Sequence, residues 1–305
     1  MKKSFFLFSI IFFCITSFSQ EIDISLKLDK GSSYKLSSTS NTSIQQQVNG
    51  QLMEIEMKVE GEIDFFVSDI IEDEYIMLVK YDKLTMENTA MERTMKYSSE
   101  SENEFDLMSK LMANMTSKAF NCNMKKNGSI SHISGLEELY VNIIDSIPEA
   151  SQTDKEQLLK QIEKAYGNKA FKNSFGMSTH IFPDSNVSMG ESWYINTQLG
   201  GMFTKDLECS YVFYKNTEDH YKILGSAWIE KDKVEARKMN GMDTEFQLEG
   251  EYSSEITINK ETGWIITSKS EYFMKGDIII IPNAQIPDGM KIPFKLNNRG
   301  YLKSN

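Results

Sequence analysis

Histidine and cysteine are scarce in this sequence, with three residues of each among 305. None of His132, His180 and His220 has a second histidine or a cysteine at the spacing of a zinc site. The chain also lacks a G-x-S-x-G turn, a P-loop, a G-x-G-x-x-G loop and an EF-hand loop. We therefore predict no metal, no cofactor and no catalytic residues. A hydrolase with an unrecognised carboxylate pair, of the kind that Glu60 and Glu62 represent, is the third alternative for function.

Basic residues do not outnumber acidic residues either. The chain has 33 Lys and Arg against 44 Asp and Glu, which gives a formal net charge of −11. Nucleic acid is not expected as a partner, because a phosphate-binding surface needs concentrated positive charge. Apolar residues make up 40% of the chain, which excludes a disordered chain, a collagen-like fibre and a polytopic membrane protein. An acidic, soluble, globular protein is what the composition indicates.

A single apolar run, at positions 5–15, stands near the N-terminus. It is too short to cross a bilayer, which needs about 20 residues. Lys2 and Lys3 precede the run and small residues end at Ser19, which is the pattern of a cleaved signal peptide. We expect export to the periplasm, the cell surface or the medium, and no integral membrane protein after cleavage. A retained anchor or lipidation at Cys14 is the alternative.

Cleavage would remove residues 1–19, which carry two lysines and no acidic residue, and leave a formal charge of −13. Residues 20–305 are predicted to form one α+β domain. The pattern divides it into a β stretch at 26–100, a helical insert at 102–176 and a second β stretch at 182–305. Similar starts at Gly31 and Gly190 suggest two related halves, although any series of hairpins would look self-similar.

Long period-two alternation is the main secondary-structure signal. Residues 55–67 and 246–258 place apolar side chains on one face and mostly Glu, Lys or Thr on the other, as half-buried antiparallel strands do. Thirteen residues at about 3.3 Å each span about 43 Å, which is long for a strand. We predict a large, strongly curved antiparallel sheet, as an open or half barrel. Gly61 and Gly250 in the middle of these strands predict bends or bulges.

The period becomes helical in the insert, which we expect to pack on one face of the sheet. Apolar residues recur at steps of three and four over 102–118, and a second helix is predicted over 135–147. A third helix starts at Ser151 or Thr153, with a capping box between Thr153 and Glu156, and ends at Gly167. A short fourth helical segment ends at Gly176.

Methionine is the outlier in composition, with 18 residues, seven of them between Met86 and Met124. Flexible, polarisable methionine suits a surface that adapts to apolar ligands. One interpretation is that the first helix lines or plugs the mouth of the curved sheet. The candidate ligand-lining residues are then Phe105, Met108, Met112 and Met115. The other interpretation is that methionine simply fills the core in place of leucine.

Two cysteines, Cys122 and Cys209, remain after signal cleavage. Both lie on the apolar side of alternating segments. An exported protein can keep a disulfide, and a bond between them would close a long loop and stabilise the fold by a few kcal/mol. The alternative is a pair of buried thiols that behave as small hydrophobic side chains.

One segment resembles a known family. Phe182-Pro183, followed by Val187, Gly190, Glu191, Ser192 and Trp193, fits an F-P…V-x-x-G-[DE]-S-W pattern. This pattern is similar to that of exported bacterial proteins of about 300 residues, a family defined only as a domain of unknown function. The resemblance implies an exported, envelope-associated protein with a large β-sheet, and it supplies no catalytic residues.

The leading functional hypothesis is a non-enzymatic envelope protein that binds a lipid or another apolar or amphipathic ligand. The concave side of the curved sheet is the expected place, because β-barrels commonly hold small apolar ligands inside. The alternative is a structural or interaction module that uses sheet edges or its acidic face to bind another envelope protein.

Overall fold

The structure is a computed structural model that describes residues 21–48, 50–103, 106–145, 151–199, 205–231, 237–239 and 241–305. The predicted signal peptide lies outside this part of the chain. The first strands and the hairpin that follows are β1 (Ser33–Val48), β2 (Gln51–Ile71), β3 (Glu74–Ala90), β4 (Arg93–Ser98), β5 (Phe120–Lys125) and β6 (Ile130–Ser134). The later strands are β7 (Ser192–Leu199), β8 (Lys205–Asn216), β9 (His220–Ile229), β10 (Arg237–Met239), β11 (Met242–Asn259), β12 (Ile265–Ile280) and β13 (Met290–Ser304). The helices are α1 (Leu107–Met115), α2 (Glu138–Asp145), α3 (Gln152–Tyr166) and α4 (Asn168–Thr179).

All thirteen strands belong to one antiparallel sheet. Its main order is β6-β5-β3-β2-β1-β13-β12-β11-β9-β8-β7, with β4 paired to β3 and β10 paired to β11. Within the described residues β6 pairs only with β5 and β7 only with β8, so the sheet is not closed. Helix α4 nevertheless contacts both β6 and β7. The sheet must therefore curve until its two ends lie on either side of one helix, which confirms the predicted large, curved antiparallel sheet.

The long strands occur where alternation predicts them, in β2 with 21 residues and β11 with 18. The predicted irregularities were found in one of the two strands. Near Gly61 the register between β2 and β3 shifts between Glu62 and Ile63, and it shifts again between Val67 and Asp69. The register between β11 and β12 shifts between Thr257 and Ile258 and not at Gly250. A Cβ atom on Gly250 would lie 1.9 Å from the carbonyl oxygen of Phe273 on β12, so this glycine is needed for close approach of the neighbouring strand.

The concave face carries the core, and α4 packs into it. Phe171 and Phe175 on α4 contact an aromatic cluster that the strands supply. The ring centroid of Phe171 lies 5.1 Å from that of Phe120 on β5, and Phe175 lies 5.6 Å from Phe65 on β2. Trp264 adds a ring from the β11–β12 connection, 5.4 Å from Phe65. Aromatic rings bury large areas in such edge and stacked arrangements, so α4 is anchored firmly inside the curve.

The insert predicted as helical over 102–176 also contains strands. Phe120, Cys122 and Met124 are buried at alternate positions of β5, and a turn at Asn127 and Gly128 leads into β6. Period-two burial therefore interrupts the helical segment. Helices α1 and α2 begin later than predicted, at Leu107 and Glu138, whereas α3 spans its predicted range. Helix α4 is longer than predicted, because it continues through its glycine to Thr179.

Helix α3 begins after Ser151, the first of its two predicted starts, so its capping box lies two residues before the predicted one. Ser151 is its N-cap, and the Ser151 hydroxyl and Asp154 carboxylate form the reciprocal bonds of the box. Gly167 follows the last residue of the helix, as predicted. None of the helices in the described ranges combines the length and apolar character needed to cross a membrane. A relationship between two halves of the chain stays a prediction.

Candidate functional site

Helices α1, α2 and α3 and strand β4 enclose a cavity of about 290 Å³, which we call the helix pocket. Its walls are mainly apolar. They are formed by Tyr97, Asp106, Leu107, Met108, Leu111, Ile144, Leu158 and Ile162. Ile144, Ile162 and Leu111 are buried, while Leu107 is 38% exposed at the rim. The pocket is therefore apolar inside and open to solvent at one side.

The N-terminus of α1 is fixed by hydrogen bonds at the mouth of this pocket. Asp106 is the N-cap, and its carboxylate accepts from the backbone N–H groups of Met108 and Ser109. The Ser109 hydroxyl also donates to Asp106 at 2.5 Å and accepts from the backbone of Ser98 on β4 at 3.0 Å. Among the residues that the structure describes, Asp106 is the one carboxylate of the lining, and it is engaged in capping. The apolar walls are then the surface available to a ligand.

The four predicted ligand-lining residues separate into three groups. Met108 lines the helix pocket. Met112 and Met115 are buried, with 5% and 3% of their surface exposed, and lie outside the lining of the pocket. Phe105 lies outside the described residues. One methionine of this helix thus lines a cavity among helices and two are packed in the interior, and ligand lining stays a prediction.

The sequence missed the other walls of the pocket. Leu158 and Ile162 lie on the third helix and Ile144 on the second, but no local pattern connects these residues to Met108. Their signal is the i, i+4 spacing that keeps Leu158 and Ile162 on one helix face. Which helix such a face meets depends on the tertiary contacts among α1, α2 and α3.

Cys122 and Cys209 are free and buried, so the predicted disulfide is absent between them and the interpretation as buried thiols holds. Cys122 lies on β5 and Cys209 on β8, each next to a different end of the sheet order. Burial raises the pKa of the Cys122 thiol to about 12 and that of Cys209 to about 11. Thiols with such raised pKa values are poor nucleophiles and poor metal ligands.

The other candidate groups, which are the histidines and the pair Glu60 and Glu62, lie in different parts of the fold. No set of three or more histidine, cysteine, aspartate or glutamate side chains suited to a metal ion occurs in the residues that the structure describes. His220 bonds to the neighbouring Asp219 at 2.7 Å, and His132 is exposed on β6. Glu60 and Glu62 are exposed on β2, and Glu60 forms a 2.8 Å ion pair with Lys58. A carboxylate on a solvated strand face is ordinary surface charge.

The fold is similar to that of a much longer lipid-associated protein. A structure of lipid–protein interactions in lipovitellin superposes with a TM-score of 0.52 and 11% identity over 92% of this chain. The chain spans only 25% of the lipovitellin chain it matches, and identity this low shows the fold alone. Two outer membrane proteins superpose poorly, each with 8% sequence identity over 92% of this chain. They are a channel from Pseudomonas putida F1 (TM-score 0.25, 97% of its chain) and OmpT of Vibrio cholerae (0.15, 99%).

Among proteins with curated descriptions, none matches this sequence. A family model matches residues 72–265, which is well over half of the chain and confirms the resemblance to a domain of unknown function. The matched range runs from the β2–β3 turn to the start of β12, and so includes all four helices and both ends of the sheet. The protein belongs to the family of unknown function DUF6263.

Proposed function

We propose that this protein is an exported, non-enzymatic binder of an apolar or amphipathic ligand, and that the helix pocket is its site. The observation that carries the proposal is a cavity of about 290 Å³ with apolar walls beside a curved sheet. This volume is close to the lower end of ligand pockets, about 300 Å³. The pocket therefore suits one alkyl chain or a small ring better than a bulky lipid.

Two further features support this function. Met108 gives the wall a flexible, polarisable side chain, which adapts to ligands of different shape. Lipovitellin, whose structure concerns lipid–protein interactions, shares the fold over 92% of this chain. Fold likeness alone does not define a function, and so the chemistry of the pocket carries the proposal.

Titration with N-phenyl-1-naphthylamine, a small apolar fluorescent probe, tests the pocket directly. We expect Met108→Asp to weaken binding by about tenfold or more, which corresponds to about 1.4 kcal/mol, because it places a carboxylate in the apolar wall. Met189→Asp is the matched control, since Met189 is 60% exposed and lies outside the pocket. Met108→Trp, which adds volume without charge, is expected to weaken binding as well.

Melting temperatures of all variants separate loss of the site from loss of the fold. Native mass spectrometry of gently purified protein should also show an added apolar mass that Met108→Trp removes. Equal binding by the wild type, Met108→Asp and Met108→Trp would contradict the proposal, as would a wild-type protein that takes up no probe.

A further inference from the structure

A second and larger cavity, of about 870 Å³, lies where the two ends of the sheet face each other. We call it the edge cleft. Residues of α4, of the β5–β6 hairpin and of β7 and β8 line it, and none of them lines the helix pocket. Because Phe171 and Phe175 of α4 point into the core, the opposite side of this helix is what forms part of the cleft wall.

The end strands of the sheet, β6 and β7, border this cleft. Ser129, Ile130 and Ser131 line one side, and Asn196, Thr197 and Gln198 line the other. Within the described residues neither β6 nor β7 has a strand partner on its outer side. Both edges thus present unpaired backbone groups, which can accept an added strand.

Positive charge is concentrated in the cleft, against the strongly negative balance of the chain. Lys125, Lys169 and Lys172 all line it, and among the described residues none of the three takes part in an ion pair. Two acids, Asp206 and Glu208, stand on the β8 side. Asp206 already accepts a hydrogen bond from Gln198 at 2.6 Å. The lysines come from α4 and the β5–β6 hairpin, so these walls of the cleft attract carboxylates.

A glycine keeps part of the α4 wall open. Gly176 lies in the last turns of α4, where glycine is the least favourable residue apart from proline. A Cβ atom on Gly176 would meet no atom within 4 Å, although the residue itself is buried. Gly128 and Gly250, in contrast, are required by close backbone neighbours. No neighbour of Gly176 requires a glycine, and its missing side chain adds to the room in the cleft.

We propose that the edge cleft binds an extended acidic peptide segment of another protein, which adds a strand to the free edge of β7. An extended residue occupies roughly 3.4 × 4.8 × 10 Å, so the cleft has room for about five residues. In such a strand alternate side chains face α4, where carboxylates meet Lys169 and Lys172. This goes beyond ligand binding in the helix pocket and does not depend on it.

The probe is a fluorescein-labelled nine-residue peptide that alternates glutamate with threonine, measured by fluorescence anisotropy at low salt. We expect it to bind, and the matched lysine–threonine peptide to bind at least about tenfold more weakly. A glutamate–threonine peptide with N-methyl groups at alternate residues keeps the charge and loses backbone donors. We expect it to lose at least about tenfold in affinity as well.

Two variants locate the site on the protein. Gly176→Leu fills the cleft and should weaken binding at least about tenfold, while its melting temperature is unchanged or higher. Lys172→Gln should weaken binding about threefold, whereas Lys160→Gln, an exposed lysine on α3 outside the cleft, should have no effect.

Several results would overturn the proposal. One is a labelled acidic peptide that does not bind, or that binds Gly176→Leu as well as the wild type. Another is equal binding of the N-methylated peptide, which would show attraction by charge without strand addition. Binding of free phosphate or glutamate together with no peptide binding would make the cleft a small-anion site instead.

Discussion

At the scale of single residues, burial and neighbouring charges change the pKa of His180. His180 follows the last residue of α4, and its backbone N–H donates to Gly176 at 2.9 Å. Partial burial lowers the pKa of the imidazole, Lys172 lowers it further, and Asp184 acts in the opposite direction. The folded protein therefore resists protonation of His180 more than the unfolded chain does.

This shift predicts a pH dependence of stability. Since the unfolded chain takes up the proton more readily, the free energy of unfolding falls as pH is lowered through about 6.5, the ordinary pKa of histidine. The contribution is fully present above that pH. We expect His180→Gln to show a shallower decrease between pH 7.5 and 5.5 in urea denaturation. His132→Gln, at an exposed position, should keep the wild-type slope, and equal slopes for all three proteins would contradict the assignment.

At the scale of elements, the β5–β6 turn is fitted against the end of α4. Gly128 has a φ of +79°, and a Cβ atom there would lie 1.7 Å from the carbonyl oxygen of Thr179. The same turn is stabilised by Asn127, whose side-chain oxygen accepts from the backbone of Ser129 at 3.1 Å. This contact positions the hairpin at one end of the sheet relative to the helix that reaches the other end.

Gly128→Ala should therefore be strongly destabilising. The left-handed conformation costs an L-residue about 1–2 kcal/mol, and the clash with Thr179 adds to that cost. We expect a decrease of more than about 2 kcal/mol in the free energy of unfolding, measured by urea denaturation. Gly190→Ala is the control, because Gly190 has a φ of +90° but no atom within 4 Å of an added Cβ. Similar losses for both variants would show that the close contact is unimportant.

Element prediction succeeded where burial follows a regular period. The alternation in 55–67 and 246–258 indicated β2 and β11 because one face is buried and the other is solvated. It failed where contact with another element decides the outcome. Glycine at 176 suggests the end of a helix, yet α4 continues to Thr179, since packing of Phe171 and Phe175 outweighs the weak local preference.

At the scale of the whole molecule, the negative charge is distributed along the outer face of the sheet. Glu56, Glu60, Glu62, Glu251 and Glu255 are exposed on β2 and β11. Glu255 accepts hydrogen bonds from Tyr214 and Lys222, and these bonds lower the pKa of its carboxyl group. The acidic exterior is thus an ordinary solvated strand face. The lysines of the edge cleft, which form no ion pair with any described residue, differ from it in charge.

Export is the remaining proposal at this scale. We expect protein recovered from the cell envelope or medium of the expressing bacterium to have the intact mass of a chain whose first residue is Gln20. Ile11→Arg interrupts the apolar run that the export machinery recognises, and so this variant should stay in the cell with its first residue retained. A mass that still includes residues 1–19 in exported wild-type protein, or a lipid attached at Cys14, would contradict cleavage after Ser19.

The sequence by itself determined the long alternating strands, their two faces, the presence of the helices and the family. These follow from backbone sterics and from burial at periods of 2 and 3.6, which act between residues close in the chain. The tertiary structure decided which elements meet. Strand β1 pairs with β13, with Leu36 opposite Ser304, and α4 lies between β6 and β7. Such contacts join residues far apart in sequence, so no local period encodes them, and both cavities exist only because of them.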